Sequence, residues 1–209
     1  MLSLTEIIDG AREYHRGIDT ELVNRAYLFA EQMHEGQRRE SGEPYFVHPV
    51  SVASVIAQLR LDCPSICAAL LHDVVEDTQV SEAEIPERFG EEISFLVAGV
   101  TKLNELDFNS REDRKAESFR KMLLAMEHDI RVLLIKLSDR LDNMRSLGHM
   151  GVDKQDRIAR ETIEIYAPLA ARLGIRWMKD ELEDLCFQFL YPGPHADLTG
   201  RLASMSKES

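Results

Sequence analysis

The sequence has 209 residues, of which 44% are hydrophobic and 30% are charged. This is the composition of a globule with a core, and it is too apolar for a disordered chain. At roughly 150 residues per domain, the length fits one large domain with a short extension. The net charge of −12 argues against a long nucleic-acid interface, which needs excess lysine and arginine. No apolar run approaches the roughly 20 residues that cross a bilayer, and the N-terminus lacks the basic start of a signal peptide. We therefore expect a cytoplasmic protein that binds neither nucleic acid nor membrane.

The charge is unevenly distributed along the sequence. Residues 1–100 contain 18 acidic and 7 basic side chains and no lysine, whereas residues 101–209 contain 19 acidic and 18 basic side chains. An acid-rich half suits cation binding, and a balanced half leaves basic groups available for a small anion. The three cysteines, Cys63, Cys67 and Cys186, form neither a disulfide framework nor a complete zinc-type set. We expect them to be reduced thiols.

Apolar residues recur at helical spacing along nearly the whole sequence, and no stretch alternates with period two for long. This pattern predicts an all-α fold. The first clear helix covers residues 20–35 and ends at Gly36, and residues 37–48 form a loop. Prolines are favoured at the first helical position, so the next two helices are predicted to start at Pro49 and Pro64.

Capping signals predict the following helix starts. Ser81 and Ser110 have an acid three residues later, which is the spacing of a capping box. Asp129 can cap a helix that runs to residue 147. Two further helices are predicted at residues 154–173, with a bend at Pro168, and at residues 177–190. The pattern is lost from residue 192 onward.

A group of polar side chains stands out against these apolar helices: His48, His72, Asp73, Glu76, Asp77 and Asp139. Residues four apart share a helix face, so His72 lies below Glu76 and Asp73 lies below Asp77. The run before them, residues 66–71, is apolar and should be packed. Burying several like charges is very costly, so this turn is either at the surface or neutralised by a cation.

The two remaining polar positions are ambiguous by spacing alone. Asp139 lies in a narrow polar strip with Asn143 and Ser146, and a solvated helix face is the alternative interpretation. His48 precedes a proline at a loop-to-helix junction, where it can also be a helix cap. Two imidazoles and two carboxylates suit a first-row divalent ion such as manganese, iron or zinc better than magnesium. Such an ion lowers the pKa of a coordinated water.

The sequence around these positions resembles the HD-domain phosphohydrolases, and in particular the hydrolase domain of the RelA/SpoT-type alarmone enzymes. Those enzymes are bifunctional synthetase/hydrolases of guanosine tetra- and pentaphosphate. The matching segments, in order, are HEGQRRESGEPY (34–45), VHP (47–49), LHDVVEDT (71–78), VTKL (100–103) and residues 135–147. The resemblance implies an HD-type helical bundle over residues 1–192.

The end of the chain resembles the segment that joins hydrolase to synthetase in the long enzymes, at residues 166–175 and 179–185. The last helices of the bundle would then lead to a synthetase domain in a full-length protein. Residues 193–209 are expected to be a tail or the start of a linker. We expect the chain to be a natural or engineered fragment that cannot make the alarmone.

The resemblance also implies roles for individual residues. It implies that one manganese ion is held by His48, His72, Asp73 and Asp139. Glu76 and Asp77 match the catalytic acids beside that ion, which orient or deprotonate the attacking water and assist the leaving pyrophosphate. The implied reaction is hydrolysis of the 3′-pyrophosphate, which gives GDP or GTP plus pyrophosphate.

Five further residues match the nucleotide-binding positions of the family: Arg39, Ser41, Tyr45, Asn143 and Ser146. Arg39 matches the arginine that packs on guanine, and a planar guanidinium suits stacking. Asn143 matches the asparagine that hydrogen-bonds the base. Ser41 and Tyr45 match positions lining the same pocket, and Ser146 stands where the family usually has threonine.

Two positions depart from the family pattern. Glu40 stands where lysine is usual, and Asp142 stands where histidine is usual. Asp142 either joins the metal environment or faces solvent. These changes keep two alternatives open: an inactive metal-binding sensor of the alarmone, and an HD phosphohydrolase that acts on another nucleotide.

Overall fold

A computed structural model describes residues 3–104 and 129–205. Within these ranges all regular secondary structure is helical, and the β-type pairing is limited to one isolated antiparallel bridge between Arg38 and Pro44. The all-α prediction is therefore confirmed. The chain divides into two compact units, Met1–Asp142 and Asn143–Ser209. No helix in the described ranges has the length and apolar character needed to cross a membrane.

The first unit is built around one buried helix. Its helices are α1 (Leu4–Tyr14), α2 (Thr20–Met33), α3 (Val47–Gln58), α4 (Cys63–Leu71), α5 (Val74–Asp77), α6 (Glu84–Phe89), α7 (Glu91–Asn104) and α8 (Ile130–Arg145), the last of which continues into the second unit. Helices α2, α3 and α7 pack against α4. All residues of α4 except Pro64 are buried. A helix that is apolar on every side is stable only inside a packed core.

The proline signals place two helices well, but one start was wrong. Pro64 is the second residue of α4, and Asp62 caps that helix by accepting from the Ser65 amide at 3.1 Å. Helix α3 begins at Val47, two residues before Pro49. The first four amides of a helix have no partner within it, so proline is tolerated anywhere in the first turn and does not mark its first residue.

The capping signals gave mixed results. The Asp129 cap is confirmed, since its side chain accepts from the Arg131 amide at 2.9 Å. At Ser81, the amide donates to Glu84 Oε1 at 3.2 Å, but the helix begins only at Glu84. The predicted start at Ser110 lies outside the described residues. Helix α1, which a capping box between Ser3 and Glu6 starts, was not predicted individually.

The second unit continues from the end of α8. Its further elements are a 3₁₀ turn (Leu147–His149), α9 (Val152–Glu161), a π-helical segment (Thr162–Tyr166), α10 (Ala167–Arg172), α11 (Arg176–Leu190) and α12 (Pro192–Met205). Helix α11 packs against α9 and α10. The irregularity predicted at Pro168 takes the form of the π segment just before it. Proline lacks an amide hydrogen and crowds the preceding turn, and a widened turn relieves that crowding.

The prediction of an irregular tail after residue 192 was wrong. Residues 192–205 form α12. Pro192 and Pro194 stand in the first turn, where amide hydrogens need no partner within the helix, so they do not prevent it. Leu198 and Leu202 are exposed, which explains why no stripe of buried apolar residues marked this helix.

Packing between α7 and α8 gives a prediction about stability. A Cβ atom on Gly99 would lie 2.7 Å from Cγ2 of Val132, which is buried and stiff. We expect Gly99→Ala to lower the free energy of unfolding by about 1 kcal/mol or more, because overpacking outweighs the gain in helix propensity. Gly10→Ala, inside α1 with nothing within 4 Å, is the control and should raise it by about 0.5–1 kcal/mol. Denaturant unfolding measures both. Equal stabilisation by the two substitutions would show that the α7–α8 contact is loose.

Candidate metal centre

Four of the predicted site residues come from three places in the first unit. His48 is the second residue of α3, and His72 and Asp73 form the junction between α4 and α5. Asp139 lies in the middle of α8. Their exposed fractions are 3%, 0%, 8% and 4%, respectively. Because α4 is enclosed by its neighbours, the residues that follow its last turn start inside the protein.

The nitrogen and oxygen atoms of these residues converge. His48 Nε2 lies 3.3 Å from Asp139 Oδ1 and 3.4 Å from Asp73 Oδ2. His72 Nε2 lies 3.2 Å from Asp73 Oδ1. One ligand atom each from His48, His72 and Asp139 lies within 4.8 Å of the other two. The structure therefore brings together all four residues that the sequence proposed as metal ligands.

The hydrogen bonds of His72 leave one nitrogen directed at this cluster. Its Nδ1 lies 2.9 Å from the Ala69 carbonyl oxygen, which can only accept, so the ring proton is on Nδ1. Nε2 is buried and has no hydrogen-bond partner among the residues that the structure describes. Buried polar atoms are almost always satisfied, and a neutral imidazole nitrogen is a common metal ligand. Two imidazole nitrogens beside carboxylate oxygens fit a first-row divalent metal ion.

Cationic groups compensate the buried acids when no metal is bound. Lys136 Nζ lies 2.5 Å from Asp139 Oδ2. Burial alone would raise the pKa of Asp139, but Lys136 and His48 hold it well below its usual range. Burial alone would lower the pKa of His48, but hydrogen bonds to Asp139 and Asp142 raise it to about 10. A protonated His48 therefore partly replaces the charge that a metal ion would bring.

Tyr45 joins two of the predicted acids. Its hydroxyl lies 2.7 Å from Asp73 Oδ2 and 2.7 Å from Asp77 Oδ2, and its single proton can be donated to one of them at a time. Burial, followed by the charge of Asp73, raises the pKa of Tyr45 above its ordinary value. The His34 ring stacks on the Tyr45 ring at 4.8 Å between centroids. The sequence assigned Tyr45 to the nucleotide pocket and did not predict this link to the acids.

The two predicted catalytic acids lie on the short helix α5 next to the cluster. Both Glu76 and Asp77 are exposed. Asp77 is held at two points, because Tyr45 contacts its carboxylate and Gln37 Nε2 donates to its carbonyl oxygen at 2.7 Å. This arrangement gives Asp77 a fixed orientation beside Asp73.

The predicted nucleotide-binding residues lie in the loop between α2 and α3 and at the end of α8. Arg39 Nη1 donates to Asp142 Oδ2 at 2.7 Å. Ser41 Oγ donates to the carboxylate of Glu43 at 3.2 Å. Asn143 is half-buried in the last turn of α8. Ser146 Oγ donates to the carbonyl oxygen of Asn143 at 3.3 Å. Their roles in nucleotide binding stay predictions.

The structure decides between the two interpretations of Asp142. Its side chain is buried, and Oδ2 lies 2.6 Å from His48 Nδ1. Burial raises the pKa of Asp142, but the hydrogen bond from His48 outweighs it and the pKa falls to about 2. Asp142 therefore joins the surroundings of the metal centre. Glu40, the other departure from the family pattern, is exposed.

Comparison with known proteins agrees with this geometry. The family model described as "HD domain" matches residues 26–176 of the chain. The chain belongs to the HD-domain family. The helical fold and the paired His72 and Asp73 thus belong to an HD domain, and the fold expected from the sequence motifs is confirmed.

Curated relatives share about half of their aligned residues with this HD domain. It is 54% identical over 184 residues to a Vibrio cholerae protein named guanosine-3′,5′-bis(diphosphate) 3′-pyrophosphohydrolase. That alignment covers 88% of this chain and 26% of the Vibrio protein. It is 50% identical over 199 residues to a Myxococcus xanthus GTP pyrophosphokinase, covering 94% of the chain and 26% of that protein. The HD domain thus spans about a quarter of the length of these relatives.

A solved structure resembles this HD domain as well. It is described as a metazoan orthologue of SpoT that hydrolyses ppGpp. The TM-score is 0.63 at 26% sequence identity, and the alignment covers 80% of this chain and 94% of the other. The resemblance to RelA/SpoT-type hydrolases expected from the sequence is therefore confirmed at the level of fold and sequence.

The charge of His48 predicts how this HD domain binds a divalent ion. Because the pKa of His48 is raised to about 10, its Nε2 must lose a proton before it becomes a ligand. We expect Mn²⁺ binding at about pH 8 to release about one proton per ion, so that affinity rises with pH below about 10. Calorimetry in two buffers of different ionisation enthalpy measures the released protons. The control, His48→Gln, should release none, and the absence of proton release from the unmodified protein would contradict the assignment.

Proposed function

We propose that this HD domain hydrolyses the 3′-pyrophosphate of guanosine tetra- and pentaphosphate, with manganese as its ion and with GDP or GTP and pyrophosphate as products. The observation that carries the proposal is the buried convergence of His48, His72, Asp73 and Asp139. The names of relatives support the substrate, since proteins of Vibrio cholerae and Haemophilus influenzae, 54% and 57% identical, are named for this hydrolysis.

The four buried residues would hold the ion through two imidazole nitrogens and two carboxylates. When bound, a divalent ion polarises a phosphoryl oxygen and lowers the pKa of a coordinated water. Lys136 holds Asp139 through Oδ2, which leaves Oδ1 directed at His48. The residues of the chain therefore fix the ligand directions before any ion arrives.

The exposed acids of α5 are suited to proton transfer. Glu76 and Asp77 follow His72 and Asp73 by about one helical turn and are exposed, so they would be placed to reach a water held at the metal site. We assign them to orient and deprotonate that water and to assist the departing pyrophosphate. Tyr45 keeps Asp77 oriented through its hydroxyl.

The nucleotide assignments rest on sequence resemblance together with the chemistry of the side chains. Arg39 presents a planar guanidinium that can stack on guanine. Ser41 and Tyr45 lie in the same loop region between α2 and α3. The assignment of Asn143 and Ser146 to the nucleotide rests on sequence resemblance alone. Within a longer protein, we propose a synthetase domain as the neighbour of this domain, since other relatives are named GTP pyrophosphokinase.

The assignment of the metal ligands is tested by removing one of them. We expect His72→Ala and Asp139→Ala to lose both the bound metal and the release of pyrophosphate from guanosine tetraphosphate, because each leaves an incomplete shell among buried charges. Metal content by mass spectrometry and a pyrophosphate assay with added Mn²⁺ measure the two properties. Full metal occupancy with turnover near that of the unmodified protein would show that the ligand set is wrong.

The assignment of Glu76 is tested by an isosteric change. We expect Glu76→Gln to keep its metal and to slow turnover by about 100-fold to 10,000-fold, since the amide keeps the shape and loses the proton-accepting charge. Glu82→Gln, an exposed acid outside the site, is the matched control and should keep full activity. Loss of metal from Glu76→Gln would instead make Glu76 a ligand.

The same assay separates the alternatives. A panel of other phosphorylated nucleotides distinguishes an HD phosphohydrolase with a different substrate. Tight alarmone binding without turnover in the metal-loaded, unmodified protein would instead support a sensor, for which the exposed negative charge of Glu40 is the relevant departure from the family.

A further inference from the structure

Asp142 connects two parts of the site that the sequence treats separately. It lies three residues after Asp139 on α8, so both side chains point to the same side of the helix. Its Oδ2 accepts from His48 Nδ1 at 2.6 Å and from Arg39 Nη1 at 2.7 Å. The side chain is 9% exposed, so water cannot easily replace either donor.

The contact with His48 fixes which ring nitrogen becomes available to a metal ion once the ring is neutral. An ionised carboxylate can only accept, so the proton must be on Nδ1. Nε2 then faces Asp139 Oδ1 and Asp73 Oδ2 at 3.3 and 3.4 Å. A flipped ring would lose the hydrogen bond to Asp142. Histidine ligands are commonly oriented in this way by a partner on their other nitrogen, which also makes them more basic donors.

The ion pair with Arg39 lowers the cost of burying the negative charge of Asp142. A guanidinium is always charged, and its side chain here is 11% exposed. It balances the charge of Asp142 together with His48. The same oxygen accepts from both donors, so Asp142 contributes to the orientation of the Arg39 side chain and to that of the His48 ring.

We propose that Asp142 is a positioning residue that sets the tautomer and the ring orientation of His48 for metal binding and, through the same oxygen, holds Arg39 for the nucleotide. The role toward Arg39 and the nucleotide rests on the proposed function, whereas the role toward His48 does not. Histidine is usual at this position in the family pattern, so the carboxylate of Asp142 departs from that pattern.

The test measures metal affinity without nucleotide. We expect the isosteric change Asp142→Asn to weaken Mn²⁺ binding by about 10-fold to 100-fold, measured by electron paramagnetic resonance of the free ion. Arg39→Gln should leave the Mn²⁺ affinity unchanged within about twofold, since the His48 contact remains. Asp9→Asn, an exposed ion-pair carboxylate on α1, is the control and should change nothing.

The KM for guanosine tetraphosphate separates the role of Asp142 toward Arg39 from its role toward His48. Asp142→Asn and Arg39→Gln should both raise the KM for guanosine tetraphosphate at saturating Mn²⁺. An unchanged Mn²⁺ affinity in Asp142→Asn would overturn the role toward His48, and an equal loss of affinity in Arg39→Gln would assign that effect to Arg39. If the unmodified protein binds Mn²⁺ but shows no turnover, the proposed function fails, while the change in affinity still decides the role toward His48.

A spectroscopic measurement on the unmodified protein covers the case in which Asp142→Asn does not fold. In protein loaded with zinc as a diamagnetic probe, ¹⁵N correlation spectra report the state of each ring nitrogen of His48. We expect a protonated Nδ1 with a hydrogen-bonded, downfield proton and a metal-bound Nε2. Metal binding through Nδ1, or an Nδ1 without a proton, would overturn the proposal.

Discussion

The central physical constraint in this protein is the burial of several carboxylates beside two imidazoles. Asp73, Asp139 and Asp142 are each less than one-tenth exposed, and removing such charges from water is costly unless they are paired. Lys136 and Arg39 supply part of the compensation in the first unit. A divalent ion would complement the oxygen and nitrogen atoms that converge between them, and its binding would add to the stability of the folded state.

The helices create this constraint by the way they are enclosed. Because α4 is apolar on all sides, it must be surrounded, and its last turn delivers His72 and Asp73 to the interior. The first turn of α3 brings His48 and the middle of α8 brings Asp139 to the same cluster. The short helix α5 then carries its acids back to the surface, where a substrate can reach them. One junction thus joins a buried ligand pair to an exposed pair of acids.

Much of the fold and of the ligand set could be predicted from the sequence, because both follow from local patterns. Helical periodicity predicted the all-α fold, and the residue types His and Asp with their neighbouring motifs predicted the four residues that the structure brings together. The partner of Asp142 could not be derived in this way, since His48 is 94 residues away along the chain and helix spacing does not tell which neighbour a side chain meets. The helix after residue 192 was missed because its apolar residues are exposed and its prolines stand where they do no harm.

The most direct test of the account is anomalous X-ray diffraction from crystals of the protein grown with Mn²⁺, recorded at the manganese absorption edge. The account predicts a single strong peak in the first unit, coordinated by Nε2 of both His48 and His72 and by carboxylate oxygens of Asp73 and Asp139. A manganese ion bound elsewhere, or a peak at this place that contacts neither histidine, would contradict it.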